Sequence, residues 1–449
     1  MTRPKYTVDL SVLHPSRPLL LGLRDGDRWR LPCVQSPDGF QGGLECTVLQ
    51  DLGLRVRIMR SIHFALDATD AEARSVLGVA ESLDGDQIQL SNAVWMTRDE
   101  VEALQVPIAA YPDLLRSMLA DDGDGSRSPL RPGWTRKGWL RSVEKWLGEQ
   151  LGSFTLELQR TWSISSVARV RTEEARFFFK AVCPHFHSEP RITSYLARRF
   201  PGQVPDVVAV DETRGWLLLQ EFGGETLYKR DLESWERAIH RFAEIQIQAI
   251  PYVEEMLDSG FADRRLDRLG PDLSRMLSQD EMAIGLNDDE ILELRLMQPQ
   301  LSSWSEELTV LGPPATLVHG DLHPNNVNED DGQFIFFDWT DAAVSHPFVD
   351  LVPFHLWDAD GVPDRVERLN NAYLEPWKDL VPARNLQRAL ALINPIGQLY
   401  HAQSYFLLVL GVEEEVRWQF YDMCPRLLRR VIEESRALQA REAASPTKP

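Results

Sequence analysis

Apolar positions change their spacing several times along the chain, and each change marks an element. Through the first 120 residues they come in short runs bounded by turns: 18–23, then the polar Asp25-Gly26-Asp27, then 29–34 and later 56–64, all of which read as strands. One helical stretch, 42–52, interrupts them. Residues 121–133, DDGDGSRSPLRPG, carry no periodic apolar signal and are rich in Asp, Gly, Ser and Pro, which predicts a linker and a domain boundary. From there Trp139, Leu140, Val143, Trp146, Leu147 and Leu151 recur at helical spacing. Strand-like runs follow over 155–170 and 176–182, then a helix over 188–200, then runs at 207–210 and 216–220. Together they predict a small antiparallel sheet carrying one helix. Beyond Gly223-Gly224 helical periodicity dominates, broken by a strand-rich island at 316–338, and the final AASPTKP reads as a loose tail.

Length and composition narrow the classes. A chain of 449 residues favours two or three domains, and 43% hydrophobic with 26% charged residues is an ordinary globular balance. A formal net charge of -20 disfavours nucleic acid or an anionic membrane as partner, because both need clustered Lys and Arg. The same charge suits a cationic small substrate, though it also simply keeps a protein soluble. Cys33, Cys46, Cys183 and Cys424 lie far apart without paired or metal-ligand spacing, which points to a reducing compartment. No secretory leader pattern opens the chain and no run approaches 18 apolar residues, so a cytoplasmic protein is expected.

The richest chemistry lies in LVHGDLHPNNVNEDDGQFIFFDWTDAAVSHPFVDL. It holds a carboxylate at Asp321, an amide at Asn326 five residues on, and a second carboxylate at Asp338 capping an apolar run. Phosphoryl transfer asks for this set: one carboxylate to accept or orient the proton of an attacking hydroxyl, and oxygen ligands to hold Mg²⁺ against a triphosphate. Strand ends at 316–318 and Val327, a turn at 328–332 and a buried strand at 334–337 predict a hairpin that returns Asp338 to the side of Asn326.

HGDLHPNNV followed by FFDW, Ala343 and Asp350-Leu351 resembles the catalytic loop and metal motif of the aminoglycoside phosphotransferase and choline kinase superfamily. Its H-G-D-x-x-x-x-N order parallels the H-R-D-x-x-x-x-N loop of protein kinases, with Asp-Trp standing for Asp-Phe-Gly. The resemblance implies that Asp321 is the catalytic base or hydroxyl-orienting group, that Asn326 and Asp338 are metal ligands, and that Asp350 is structural. It also implies that His319 supports the loop. His323 reads equally as a phosphate or substrate contact and as a structural residue.

For the nucleotide, Lys180 in ARFFFKAV is the candidate cation, since an ammonium in so apolar a strand needs a carboxylate partner. Glu189 is the candidate partner, because Glu189, Ile192, Leu196 and Phe200 share one helical face. A strand Lys paired with a helix Glu is how kinases hold phosphates. Ser165 and Ser166 fall where the superfamily carries its nucleotide-positioning loop, although a plain polar hairpin reads the same. Glu221 and Phe222, before the two glycines, read as the hinge strand that meets the purine edge, or as an ordinary connector.

Residues 29–32, 41–54 and 93–101 resemble a Nudix domain in order and spacing, with LECTVLQDLGL at the position of the Nudix helix. Where the hydrolase motif carries Arg-Glu and Glu-Glu, this chain has Cys46-Thr47 and Gln50-Asp51, so diphosphate hydrolysis is not expected. The expected whole is an α+β chain: a Nudix-like domain at 1–120, a linker at 121–133, and a two-lobed protein-kinase-like fold with a sheet lobe at 134–222 and a mainly helical lobe at 223–440, the latter holding the acceptor pocket. Residues 441–449 form the tail. The expected function is Mg²⁺-dependent transfer of the γ-phosphoryl group of ATP or GTP to a hydroxyl of a small molecule, an antibiotic, amino alcohol or sugar, with Asp341 and Glu413 to Glu415 as candidates to meet an amino group. The alternative is a nucleotide-binding pseudokinase that serves as a ligand sensor.

Overall fold

The computed structural model describes residues 6–36, 44–67, 70–120, 128–278, 285–356 and 364–444. Packing divides the chain into two compact units, Met1–His185 with Val412–Val416, and Phe186–Gly411 with Arg417–Pro449. Both mix helix and sheet.

The first unit is built on an eight-stranded sheet: β1 (Tyr6–Leu13), β2 (Leu20–Asp25), β3 (Arg28–Arg30), β4 (Cys33–Ser36), β5 (Val56–Asp67), β6 (Asp70–Ser82), β7 (Ala93–Met96) and β8 (Leu104–Gln105). One face buries Val8, Leu10 and Val12 against Leu44 and Val48 of helix α1 (Leu44–Leu52). The other buries Leu20, Leu77 and Val79 against Tyr111, Leu115 and Leu119 of α2 (Tyr111–Ala120). The first parts of the helical stretch read over 42–52 lie outside the described residues; the helix starts at Leu44.

Several elements here escape the sequence reading. β1 pairs in parallel with β6, and neither was expected as a strand. Covered on both faces, β1 keeps even Asp9 and Ser11 inside, so little alternation survives to be read. The run at 29–34 divides at Pro32, which has no N–H to give a ladder; its carbonyl instead accepts from Leu10 N–H at 2.7 Å. Helix α2 was also missed.

Nor do the units part at the linker. Arg57 of β5, wholly buried, donates through Nε and Nη2 to Glu81 of β6 (3.2 and 2.8 Å) and through Nη1 and Nη2 to the carbonyls of Trp134 and Arg136 (2.5 and 3.2 Å). The other oxygen of Glu81 accepts from Gly138 N–H at 2.8 Å, just ahead of α3 (Trp139–Leu151). These bonds fasten the chain after the linker to the first sheet. Next come the antiparallel strands β9 (Thr155–Thr161), β10 (Ser165–Arg171) and β11 (Arg176–Val182), where Trp139 and Trp146 of α3 pack on Phe179.

The second unit opens with α4 (Glu189–Arg199) and the hairpin of β12 (Val207–Asp211) and β13 (Trp216–Gln220). Two three-stranded sheets follow. One joins β14 (Glu225–Thr226) to the hairpin of β17 (Val327–Asp330) and β18 (Gln333–Phe336); the other orders β15 (Ala262–Asp263), β19 (Ala343–Ser345) and β16 (Thr316–Val318). Around them lie α5 (Leu232–Ala249), α6 (Val253–Asp258), α7 (Leu269–Leu277), α8 (Asp288–Leu311), α9 (Leu351–Leu356), α10 (Arg365–Leu374), α11 (Ala383–Leu410) and α12 (Met423–Ala444). Among the described residues no helix is long and apolar enough to cross a membrane.

Helix α8 begins with a reciprocal cap: Asn287 Oδ1 accepts from Glu290 N–H at 2.9 Å, and Glu290 accepts from Asn287 N–H at 2.8 Å. Replacing Asn287 by Ala is expected to cost about 1 kcal/mol of stability, read as a lower urea midpoint.

Candidate active site

The site is organised from beneath by a buried carboxylate. Strand β16 ends at Val318, and the next two backbone N–H groups, those of His319 and Gly320, point at Asp350 (2.9 Å to Oδ2 and 2.8 Å to Oδ1). Gln246 of α5 adds its Nε2–H to Asp350 at 3.0 Å, bonds the Leu317 carbonyl at 3.1 Å, and accepts from Tyr373 at 2.5 Å. Gly320 has φ +82, and a Cβ there would stand 2.3 Å from the Asp341 carbonyl oxygen, so only glycine fits. The turn into Asp321 is thus set by Asp350 and Gly320 together.

Asp321 emerges half-exposed. Asn326, almost wholly buried, donates its Nδ2–H to the Asp321 carbonyl at 3.0 Å and to Oδ2 at 3.4 Å. His323 Nδ1 accepts from Asn325 N–H at 3.2 Å, which leaves Nε2 as the ring's donor nitrogen, 3.5 Å from Asp321 Oδ2. The carbonyl of Asn326 accepts from Phe337 N–H at 3.0 Å as Val327 pairs with Phe336, so the hairpin delivers Asp338 back beside Asn326. Here the chain turns through a left-handed residue, Asp338 with φ +66, a conformation few non-glycine residues adopt outside functional turns.

Aromatic packing holds that turn. His319 Nε2 donates to the Phe337 carbonyl at 3.0 Å, and its ring lies 4.5 Å from Trp339, whose indole N–H bonds the Phe336 carbonyl. Burial drives the His319 pKa down to about 4, against the pull of Asp321, so the ring is a neutral brace. Phe222 packs on Phe337 at 5.1 Å, next to Asp338. Glu221 beside it is half-buried and follows the end of β13 rather than lying in it.

The remaining expected residues divide between the units. Glu189 is buried in the first turn of α4, on the face of Ile192 and Leu196, in the second unit. Lys180, half-buried on β11, belongs to the first, opposite Val167 of β10. The period of two puts Ser165 on the Lys180 face and Ser166 on the other. Ser166 is wholly buried against Thr161 at 2.9 Å, while Ser165 Oγ accepts from Trp162 Nε1 at 2.7 Å.

Residues 157–386, just over half of the chain, match the model of the Phosphotransferase enzyme family. The chain belongs to this family. No curated protein matches. Among solved structures it is similar to the choline kinase LicA from Streptococcus pneumoniae, at 13% identity over 67% of this chain and 99% of that one (TM-score 0.45). It is also similar to a choline kinase from Cryptosporidium parvum Iowa II, at 12% identity over 70% and 95% (TM-score 0.48), and to the macrolide 2'-phosphotransferase MphH from Brachybacterium faecium, at 16% identity over 64% and 97% (TM-score 0.43).

In this phosphotransferase-family chain a fourth carboxylate stands near the three already described. Thr340 Oγ1 lies 3.2 Å from both Asp338 Oδ1 and Asp341 Oδ2, linking the two acids. Burial and the negative charge of Asp321 raise the Asp341 pKa to about 7, opposed by Arg264. Arg264 is clamped by α11, through Ser404, the Tyr400 carbonyl and Gln403 at 2.7 to 3.0 Å, with its guanidinium 3.9 Å over the Tyr400 ring. Of the other acids expected to meet an amine, Glu413 and Glu415 are instead ion-paired to Arg131 and Arg60 inside the first unit.

Sequence reading missed Gln246, Thr340 and Arg264. Gln246 carried a signal, a lone amide on the apolar stripe of Trp235, Ile239, Phe242 and Ala249. Thr340 and Arg264 had none.

Replacing Asp350 by Asn removes one of the two acceptors and turns an amide N–H toward a backbone N–H. A loss of about 2–4 kcal/mol is expected in denaturant melts. Asp341 gives a pH signature: the folded chain keeps its proton up to about pH 7, whereas the unfolded chain releases it near pH 4. Its contribution to stability therefore falls as pH rises from about 4 to 7. Melts of Asp341→Asn across that window should show a flatter pH dependence than the parent.

Proposed function

We propose that the chain is a kinase of small molecules, transferring the γ-phosphoryl group of ATP or GTP to a hydroxyl of an antibiotic, amino alcohol or sugar. The observation that carries this reading is the hydrogen-bonded link from Asp321 through Asn326 to the turn at Asp338, in a chain of the phosphotransferase enzyme family. In the proposed reaction the acceptor hydroxyl oxygen attacks the γ-phosphorus, the bond from that phosphorus to the bridging β–γ oxygen breaks, and the nucleoside diphosphate leaves. The hydroxyl proton passes to Asp321, whose carboxylate is oriented by the Asn326 amide with His323 nearby.

The donor set suits Mg²⁺. With Asn326 Nδ2 committed to Asp321, its Oδ1 remains an acceptor, and the exposed Asp338 carboxylate is a second hard oxygen. Among the described residues no three His, Cys, Asp or Glu side chains gather as a metal cage, and two protein oxygens completed by phosphates and waters are how Mg²⁺ is commonly held. When bound, the ion would neutralise charge on the triphosphate. Lys180 with Glu189, Ser165, and Glu221 with Phe222 are proposed for the nucleotide on the strength of their sequence positions; Ser166, read from sequence as a further nucleotide contact, is wholly buried in β10 against Thr161 on the face away from Lys180 and is not among them.

We read residues 1–120 as a Nudix-like scaffold without hydrolase activity. Supporting this, α1 exposes Cys46, Gln50 and Asp51 where the hydrolase motif needs a set of carboxylates.

A coupled triphosphate-consumption screen over hydroxylated amines, antibiotics and sugars tests the proposal. Turnover should require Mg²⁺ and fall by about 10²–10⁴-fold in Asp321→Ala with nucleotide binding retained. Undiminished turnover in Asp321→Ala would refute the assignment, and nucleotide binding without turnover on any acceptor would favour the pseudokinase.

A further inference from the structure

The first domain shares its packing with the strand that carries Lys180. Arg57 spends four donor contacts on three partners: Glu81, and the carbonyls of Trp134 and Arg136. Its guanidinium also lies 5.4 Å from the centre of the Trp139 ring. Trp139 in turn packs on Phe179 at 6.2 Å, and Trp146 meets the same ring at 6.0 Å. Phe179 immediately precedes Lys180 and points to the opposite face of β11, so whatever seats Phe179 sets the height and tilt from which Lys180 projects.

A second contact reaches the neighbouring turn. Ile58–Ser61 of β5 and Thr161–Ser163 of the β9–β10 turn line one pocket with Trp134 and Glu413, and Trp162 of that turn holds Ser165. Glu413 is pinned by Arg131 at 2.7 Å, and Arg60 of β5 by Glu415 at 2.9 Å. A domain that acted independently would need none of these ties, least of all a buried Arg–Glu pair whose remaining donors and acceptor are met by the Trp134 and Arg136 carbonyls and the Gly138 N–H beyond residue 128.

We propose that Arg57, Glu81 and Trp139 are positioning residues for nucleotide binding, through which the first domain holds the Lys180 strand in place. This rests on the assignment of Lys180 to the nucleotide phosphates. The domain is then a fixed part of the nucleotide side, and its integrity sets affinity for the triphosphate.

The test uses the full chain and titrates ATP with Mg²⁺ by calorimetry against Arg57→Met, which removes the fork but keeps bulk, and Trp139→Phe, a milder change that still fills the core. Thermal melts first establish that each variant is folded. Both should raise the ATP dissociation constant by about fivefold or more, within the coupling range of residues in one network, and Arg57→Lys should not rescue because it lacks the fork. In a Lys180→Ala background the same changes should have little further effect.

Wild-type affinity in folded Trp139→Phe and Arg57→Met, or an equal weakening with and without Lys180, would overturn the proposal. Should the parent chain bind no ATP, or bind it unchanged in Lys180→Ala, the nucleotide assignment itself fails. The two failures are thus distinguishable.

Discussion

A buried carboxylate aimed at two consecutive backbone N–H groups is the constraint on which the rest of the site depends. Asp350 lies where an ion would be costly, and burial raises its pKa to about 7, while the His319 and Gly320 amides pull the other way by favouring the charged form. Gln246 completes the set and is itself held by Tyr373 and the Leu317 carbonyl. A network this fully satisfied has one arrangement, and a partly satisfied one in the same place would be worse than an apolar core. Its consequence is local: β16 must end in a turn that only Gly320 can make, and that turn presents Asp321.

The second carboxylate is placed by different physics. Asp338 sits in a left-handed turn, its Oδ1 accepting from Thr340 Oγ1 at 3.2 Å, and the neighbours of that turn are held from several sides. Phe337 is held at its amide by Asn326, at its carbonyl by His319 and at its ring by Phe222. The neutral His319 and the Trp339 indole cover the inner side. One short stretch, Phe336 to Trp339, therefore ties together the loop of Asp321 and the chain after β13.

Within the first unit, the eight-stranded sheet bears on how the β9–β11 strands are supported. That sheet is covered by a helix on each face, and the pair of Arg57 and Glu81 extends its polar bonding into the segment that leads into α3. Side chains from that helix then form the back wall of β11. Residues 121–133 look featureless in sequence, yet one compact unit runs to His185, with the buried donors of Arg57 and the tryptophans of α3 packing the chain beyond residue 128 onto the same unit.

Much of the grouping of these side chains was legible from residue order. Asp321, Asn326 and Asp338 are close in the chain, their spacing is set by one loop and one hairpin, and local hydrogen-bonding rules suffice to bring them together. Periodicity likewise foretold α3, α4 and the hairpin strands, whose burial is one-sided. It failed at β1 and β6, which are covered on both faces and so show no clean alternation. Only the tertiary structure decided that Gln246, more than seventy residues before Asp321, and Arg264 would stand beneath and beside the carboxylates, and that Glu413 and Glu415 would be spent on Arg131 and Arg60. The physical reason is range: a spacing in sequence constrains neighbours along the chain, whereas the partner of a buried charge is chosen by whichever distant segment folding brings within hydrogen-bond reach.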